Sequence, residues 1–272
     1  MSIFHYTDLS GLKGILDSNA LWATNIRFLN DENESVHGCL CFKNTIEHLN
    51  EDIVSEREKI VLRGAIDLYM GEDIHFSKYM KNVYSISFCR SNDKLSQWRG
   101  YGNMQGVCLE FDENLLIKNL DYEGLKFLHK DVIYTDENST VEMNDKITDF
   151  FRGLEVSELE FFDSFVAFIG ACELVEENIP FFKNIGFSEE EEFRFIFTPK
   201  NNIKKVSFRV NSYGLIPYLE MKMIEGARLP LKRIIIGPSK DKQLLRSGLE
   251  MFLTSKGYDD VEIRDSTVPY RG

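Results

Sequence analysis

The chain has 272 residues, near the upper size of a single hydrophobic core. Its 43% hydrophobic content, with 21 Phe and 11 Tyr, supplies the apolar surface of a packed core and excludes a disordered chain. A formal charge of -12 excludes a broad phosphate-tracking surface of the kind that coats DNA, because such a surface needs positive potential.

Five cysteines, Cys39, Cys41, Cys89, Cys108 and Cys172, are an odd number in a chain too large to need a disulfide framework, and they read as buried apolar thiols. Cys39-x-Cys41 lacks a second pair or a histidine at ligand spacing, so no metal is expected. Met1 to Asp8 has neither the basic start nor the apolar run of a signal peptide, and nowhere do about 18 apolar residues run together. The expectation is a cytoplasmic chain with no membrane partner.

Ile3 to Tyr6 reads as a strand that feeds a helix at once, with Asp8 as N-cap and Leu9, Leu12, Ile15 and Leu16 at helical spacing. A second strand, Ala20 to Ala23, leads into an Asn- and Asp-rich turn over 25–32, and residues 34 to about 70 read as helix. Val83 to Phe88 and Gly106 to Phe111 are strands, separated by a polar loop that carries Ser96-Gln97-Trp98-Arg99-Gly100-Tyr101-Gly102. Leu125 to Tyr134 reads as one strand and 139 to about 178 as helix. Past Pro180, four glutamates run into Phe193-Arg194-Phe195-Ile196-Phe197, alternating with period two from residue 192. Two strands follow, near 204–210 and 215–223. The chain closes with strand Arg233 to Ile236, a Gly237-Pro238 turn, a helix over about 239–256 and strand Val261 to Arg264. No linker marks a boundary, so one mixed α/β domain, 1–272, is expected, with helical insertions at about 34–80 and 139–180.

No Walker loop, dinucleotide fingerprint, nucleophile elbow or zincin motif occurs. Four features are left, each with a plain structural alternative. His5-Tyr6 can end a strand with the imidazole on a backbone carbonyl, or face a ligand. Trp98 can plug the core, although Gln97, Arg99 and Tyr101 beside it offer a fork for a diphosphate and a flat face for a heteroaromatic ring. The turn 27–34 carries Asn30. The glutamate run can be a solvated surface; read as a strand, it puts Glu190, Glu192 and Arg194 on one face, where a carboxylate steadied by arginine could stabilise a developing cation.

The ordered blocks His5-Tyr6-Thr7, Leu21 to Thr24 with Leu29 to Glu32 and Glu34, Ser87-Phe88-Cys89, Leu95 to Gly102 with Gly106, Glu190-x-Glu192-Phe193-Arg194, Ile236-Gly237-Pro238, and Ser266 with Pro269-Tyr270-Arg271 together resemble the DUF2971 family, which is grouped with the ADP-ribosyltransferase superfamily. Glu32 stands where a proline is usual, and Cys89 where a serine is usual. The resemblance implies an α+β fold, a split and mainly antiparallel sheet surrounded by helices, with NAD as substrate in the crevice. It implies Glu192 as the catalytic carboxylate, supported by Glu190 and Arg194. His5 would lie on the ribose hydroxyls, Tyr6 or Tyr101 on nicotinamide and Arg99 on the diphosphate, with Asn30 and Trp98 completing the NAD site. The reaction would be cleavage of the nicotinamide glycosidic bond with transfer of ADP-ribose to a protein or nucleic-acid acceptor, or to water, in a toxin-like or phage-defence role. The alternative is a nucleotide sensor or interaction domain without catalysis.

Overall fold

The computed structural model describes residues 1–29, 34–49, 54–70, 82–101, 105–136, 144–149, 161–200, 206–211, 214–238 and 241–269. In chain order the elements are β1 (Ser2–Asp8), α1 (Leu9–Ser18), β2 (Ala20–Asn25), α2 (Glu34–His48), α3 (Glu56–Met70), β3 (Tyr84–Cys89), α4 (Leu95–Tyr101), β4 (Gly106–Asp112) and α5 (Glu113–Asn119). There follow β5 (Leu125–Asp131), β6 (Ile133–Thr135), a helical stretch α6 (144–149), α7 (Phe161–Asn178), β7 (Phe182–Asn184), β8 (Glu192–Pro199), β9 (Ser207–Asn211), β10 (Gly214–Lys222), β11 (Leu231–Ile236), α8 (Lys242–Ser255) and β12 (Glu262–Asp265). They form two compact units: Met1–Thr24 with Tyr84–Asp131 and Glu189–Gly272, and Asn25–Val83 with Val132–Ser188.

The first unit is built on a mainly antiparallel sheet in the order β12-β11-β4-β1-β3-β2-β10-β9, with β8 paired to β3 and β5 paired to β8. Its α+β character follows from local patterns. Asp8 leaves the strand in extended conformation and its side chain accepts from Gly11 N at 2.7 Å, which starts α1 with an orphan amide satisfied. Leu12, Ile15 and Leu16 then fall on one buried stripe, as their spacing predicts. They join Ile3, Leu21, Ala23, Tyr84, Ile86, Phe88, Phe193, Phe195 and Phe197 in the main core.

A smaller cluster, Phe4, Tyr6, Cys89, Trp98, Cys108 and Ile235, holds the residues that alternate with that core. Gly237 closes it. Its amide donates to Gly106 O at 2.9 Å, and a Cβ there would stand 2.9 Å from that same oxygen and from Trp98 Cε3. Backbone on one side and a buried indole on the other leave no room to yield. Gly237→Ala is therefore expected to cost about 1–3 kcal/mol by overpacking, read as a lowered urea midpoint at unchanged slope; an unchanged midpoint would contradict this packing.

In the second unit, α2 and α3 pack with α7 over Phe42, Ile46, Leu62, Ile66, Ala171 and Val175, and β6 pairs with β7 in parallel. The helix read over 34–70 is two helices. The strand read over Leu125 to Tyr134 is also two: β5 ends at Asp131 and joins β8, whereas β6 joins β7. Of the helix read over 139–178, residues 137–143 and 150–160 lie outside the described ones. No helix of the described residues is long and apolar enough to cross a membrane.

Candidate functional site

A strand has two edges. All six residues of β3 pair with β8, from Tyr84↔Phe197 to Cys89↔Glu192, and this fills one edge. Both β1 and β2 neighbour β3 as well, so they share the other edge, where β1 touches β3 at the single pair Phe4↔Cys89. On its far side β1 stays paired with β4 from Ser2 to Asp8. The sheet therefore forks at β3.

His5, the residue after the last β1–β3 pair, puts Nδ1 3.0 Å from Ser87 O. A carbonyl only accepts, so Nδ1 carries the proton and Nε2 is left as an acceptor. Burial lowers the His5 pKa, the bond to Ser87 opposes that, and the positive charge of Arg209 adds to the lowering. The imidazole is thus held neutral. Its sign fixes a pH effect: below its ordinary value of 6.5 the unfolded chain binds a proton that the folded chain refuses, so stability is lost as pH falls. The melting temperature should drop as pH falls below about 6.5, and less steeply in His5→Asn, whose amide can still donate to Ser87; identical slopes would exclude His5 as the source.

On β8, Phe193, Phe195 and Phe197 enter the main core, so Glu192 and Arg194 project from the opposite face. Both are buried, at 7% and 2% exposure, with Arg194 Nη2 2.5 Å from Glu192 Oε2. Cross-strand register puts Cys89 beside Glu192 and Ser87 beside Arg194. Ser85 Oγ, two residues along β3, is enclosed and has no hydrogen-bond partner. Burial pushes the Cys89 thiol up to about 11 against the opposing Ser91 amide, so Cys89 is a protonated thiol, not a nucleophile.

The loop after β3 is pinned from all sides. Asp93 accepts from Trp98 Nε1 at 2.7 Å, Ser266 Oγ at 2.5 Å, Thr267 N at 2.7 Å and Thr267 Oγ1 at 2.8 Å. Burial alone would raise its carboxyl, but these donors outweigh it and hold it below the ordinary carboxylate value. Tyr6 Oη donates to Ser91 O and accepts from Lys94 N, both at 3.1 Å. Lys94 Nζ meets Glu191 Oε1 at 2.6 Å, and Ser91 Oγ bonds Glu191 Oε2. Tyr6 packs edge-on against Trp98 at 4.9 Å between centroids.

The structure thus brings together Tyr6 with Trp98, and Glu192 with Arg194, and sets His5 at the fork. It does not put Glu190 on their strand: Glu190 ends a 3-10 turn, and Glu191, with φ at 44°, breaks the extended run before β8 begins. The shared face therefore holds Glu192 and Arg194 without Glu190, a correction to the sequence reading. Ser96 to Tyr101 lies in α4, on which Arg99 is exposed. Asn30 and the side chain of Tyr101 lie outside what is described.

Sequence reasoning missed Asp93, whose partners lie 5 residues and 173 residues away, and Arg209, which no motif flanks. Arg209 Nη2 donates to Thr24 Oγ1 at 2.9 Å, and its Cζ stands 5.8 Å from the ring centroids of both Trp22 and Tyr218.

With this geometry in view, the comparison is specific in its span. Residues 97–195 match DUF2971, a family described as proteins of unknown function. The DUF2971 match runs from Gln97 on α4 to Phe195 on β8, so it takes in Trp98, Arg99, Glu192 and Arg194. No curated protein and no solved structure matches the chain.

Proposed function

We propose that the protein breaks the bond between nicotinamide and ribose in NAD and passes the ADP-ribose to a protein or nucleic-acid acceptor, or to water. The observation that carries this reading is a buried carboxylate, Glu192, oriented by Arg194 on β8, which lies across β3 from the fork, with a neutral imidazole acceptor at the fork itself.

When the C1′–N bond breaks, its electron pair neutralises the pyridinium and nicotinamide leaves uncharged. The leaving group therefore needs no general acid. What needs help is the oxocarbenium-like ribose, and a desolvated carboxylate stabilises that charge far more than one in water. Arg194 holds Glu192 in one orientation, so little reorganisation accompanies charge development. Nε2 of His5 is suited to accept from a ribose hydroxyl. The acceptor hydroxyl or water then bonds to C1′ and gives up its proton to solvent or to Glu192. Tyr6 and Trp98, whose polar atoms are spent on the loop at 91–94, position this wall of the fork.

The burial of Glu192 in an ion pair also favours a second reading, a nucleotide sensor in which the carboxylate is structural. Release of nicotinamide from NAD by the purified protein, wild type beside Glu192→Gln, separates the two. Turnover that requires Glu192 supports the first, and NAD binding without release supports the second.

A further inference from the structure

Arginines of the first unit meet carboxylates closely. Arg90 reaches Glu113 at 2.7 Å and Asp131 at 2.6 Å, Arg194 reaches Glu192 at 2.5 Å, Arg228 reaches Asp260 at 2.7 Å, Arg233 reaches Glu110 at 2.9 Å, and Arg246 reaches Asp265 at 2.9 Å. In a chain of net charge -12 that is the ordinary outcome. Arg209 is different. Among the described residues its one hydrogen-bond partner is Thr24, a hydroxyl, and it has no carboxylate partner. Glu220, on the same face of β10 by register, takes Ser207 Oγ at 3.5 Å and lies 4.0 Å from Lys222 Nζ instead.

Arg209 is not simply solvated. It is half-buried, and Trp22 and Tyr218, their centroids 5.3 Å apart, stand together on one side of its guanidinium. Two aromatic faces offset part of the cost of removing the cation from water, but they satisfy none of its five N–H groups. Trp22 Nε1, on one of those rings, is enclosed and has no hydrogen-bond partner either. Donors therefore outnumber acceptors around Thr24, and burial presses on the guanidinium pKa. A site short of acceptors and rich in fixed donors complements an oxyanion, and the planar fork of arginine fits phosphate oxygens in pairs. The site lies near the fork: the charge of Arg209 bears on His5, and Thr24 lies on β2, one of the diverging strands.

We infer that Arg209, set beside Trp22 and Tyr218 and anchored by Thr24, binds a phosphate group of a nucleotide ligand at the fork. The inference deepens the NAD reading by naming the residue that takes the diphosphate, a role for which Arg99 lies exposed on α4, but anion binding at Arg209 does not itself require turnover.

The test is calorimetric titration of the full chain with ADP, inorganic pyrophosphate and adenosine, in wild type, Arg209→Lys and Arg209→Met, with melting temperatures as the control for folding. ADP and pyrophosphate should bind wild type and weaken with salt. Arg209→Met should weaken both about tenfold or more, as loss of a charge-assisted pair implies, Arg209→Lys should do so less, and any adenosine binding should be unchanged. Equal ADP affinity in wild type and folded Arg209→Met overturns the inference, as does failure of wild type to bind either ADP or pyrophosphate. The two readings fail separately. Binding that depends on Arg209 without nicotinamide release removes the reaction and leaves the anion site, whereas release with a KM for NAD unchanged in Arg209→Met does the reverse.

Discussion

Arg194→Met should be strongly destabilising, lowering the free energy of unfolding by about 3–5 kcal/mol. Methionine keeps much of the arginine stem, so packing on β8 changes little. What changes is that the Glu192 carboxylate, 7% exposed, loses the guanidinium that stands 2.5 Å from it. A buried charge with its partner removed costs far more than the pair was worth. The double change Glu192→Leu with Arg194→Met removes both charges and should recover most of the loss, because an apolar pair of similar volume is often as stable as the ion pair it replaces. Urea unfolding of the three proteins gives the coupling directly. A single-variant loss below about 1 kcal/mol, the range of exposed pairs, would mean that water reaches the pair and that Glu192 is not held in a dry site.

Why this pair sits where it does was partly legible. Period two from residue 192 places Glu192 and Arg194 on one face and the phenylalanines on the other, and the structure agrees because β8 lies between β3 and β5 with the phenylalanine face in the main core. The same alternation extended back to Glu190 fails. Nothing in four consecutive glutamates marks the one that adopts a left-handed conformation, and it is Glu191, fixed by contacts to Ser91 and Lys94 about a hundred residues away. The break at Val132 between β5 and β6 is of the same kind: the local pattern is continuous strand, and only the choice of partner, β8 or β7, divides it.

Asp93 and Arg209 mark the limit of local reading. The first is one aspartate in a polar loop, the second one arginine on an edge strand between exposed Phe208 and Val210. Their significance is a count of donors against acceptors, and that count exists only once β1, β2, β3 and β9 are assembled. The fork has the same origin. Sequence shows strands, whereas three neighbours competing for two edges of β3 is a property of the sheet. The structural alternative for Trp98, a core plug, is what the indole does here at 2% exposure, with its N–H on Asp93.

Glu192→Gln is expected to reduce nicotinamide release from NAD by about a hundredfold or more, the usual effect of removing a group that stabilises transition-state charge. The amide is nearly isosteric, so NAD affinity should change little and the loss should appear in kcat rather than in KM. One confounding effect is predictable from the pair itself: glutamine leaves Arg194 charged, 2% exposed and facing a neutral partner, so the variant will be less stable as well as less active. The uncharged pair Glu192→Gln with Arg194→Gln removes this ambiguity, since it leaves two amides that can hydrogen-bond and carries no charge. If Glu192 acts on the ribose cation, the double variant regains stability and stays inactive. If Glu192 is only structural, the double variant regains both, and the carboxylate is a strut of the fork. Adding cell lysate to the wild-type reaction then divides the catalytic outcome, because release that rises with lysate marks transfer to a macromolecular acceptor, and release indifferent to it marks hydrolysis.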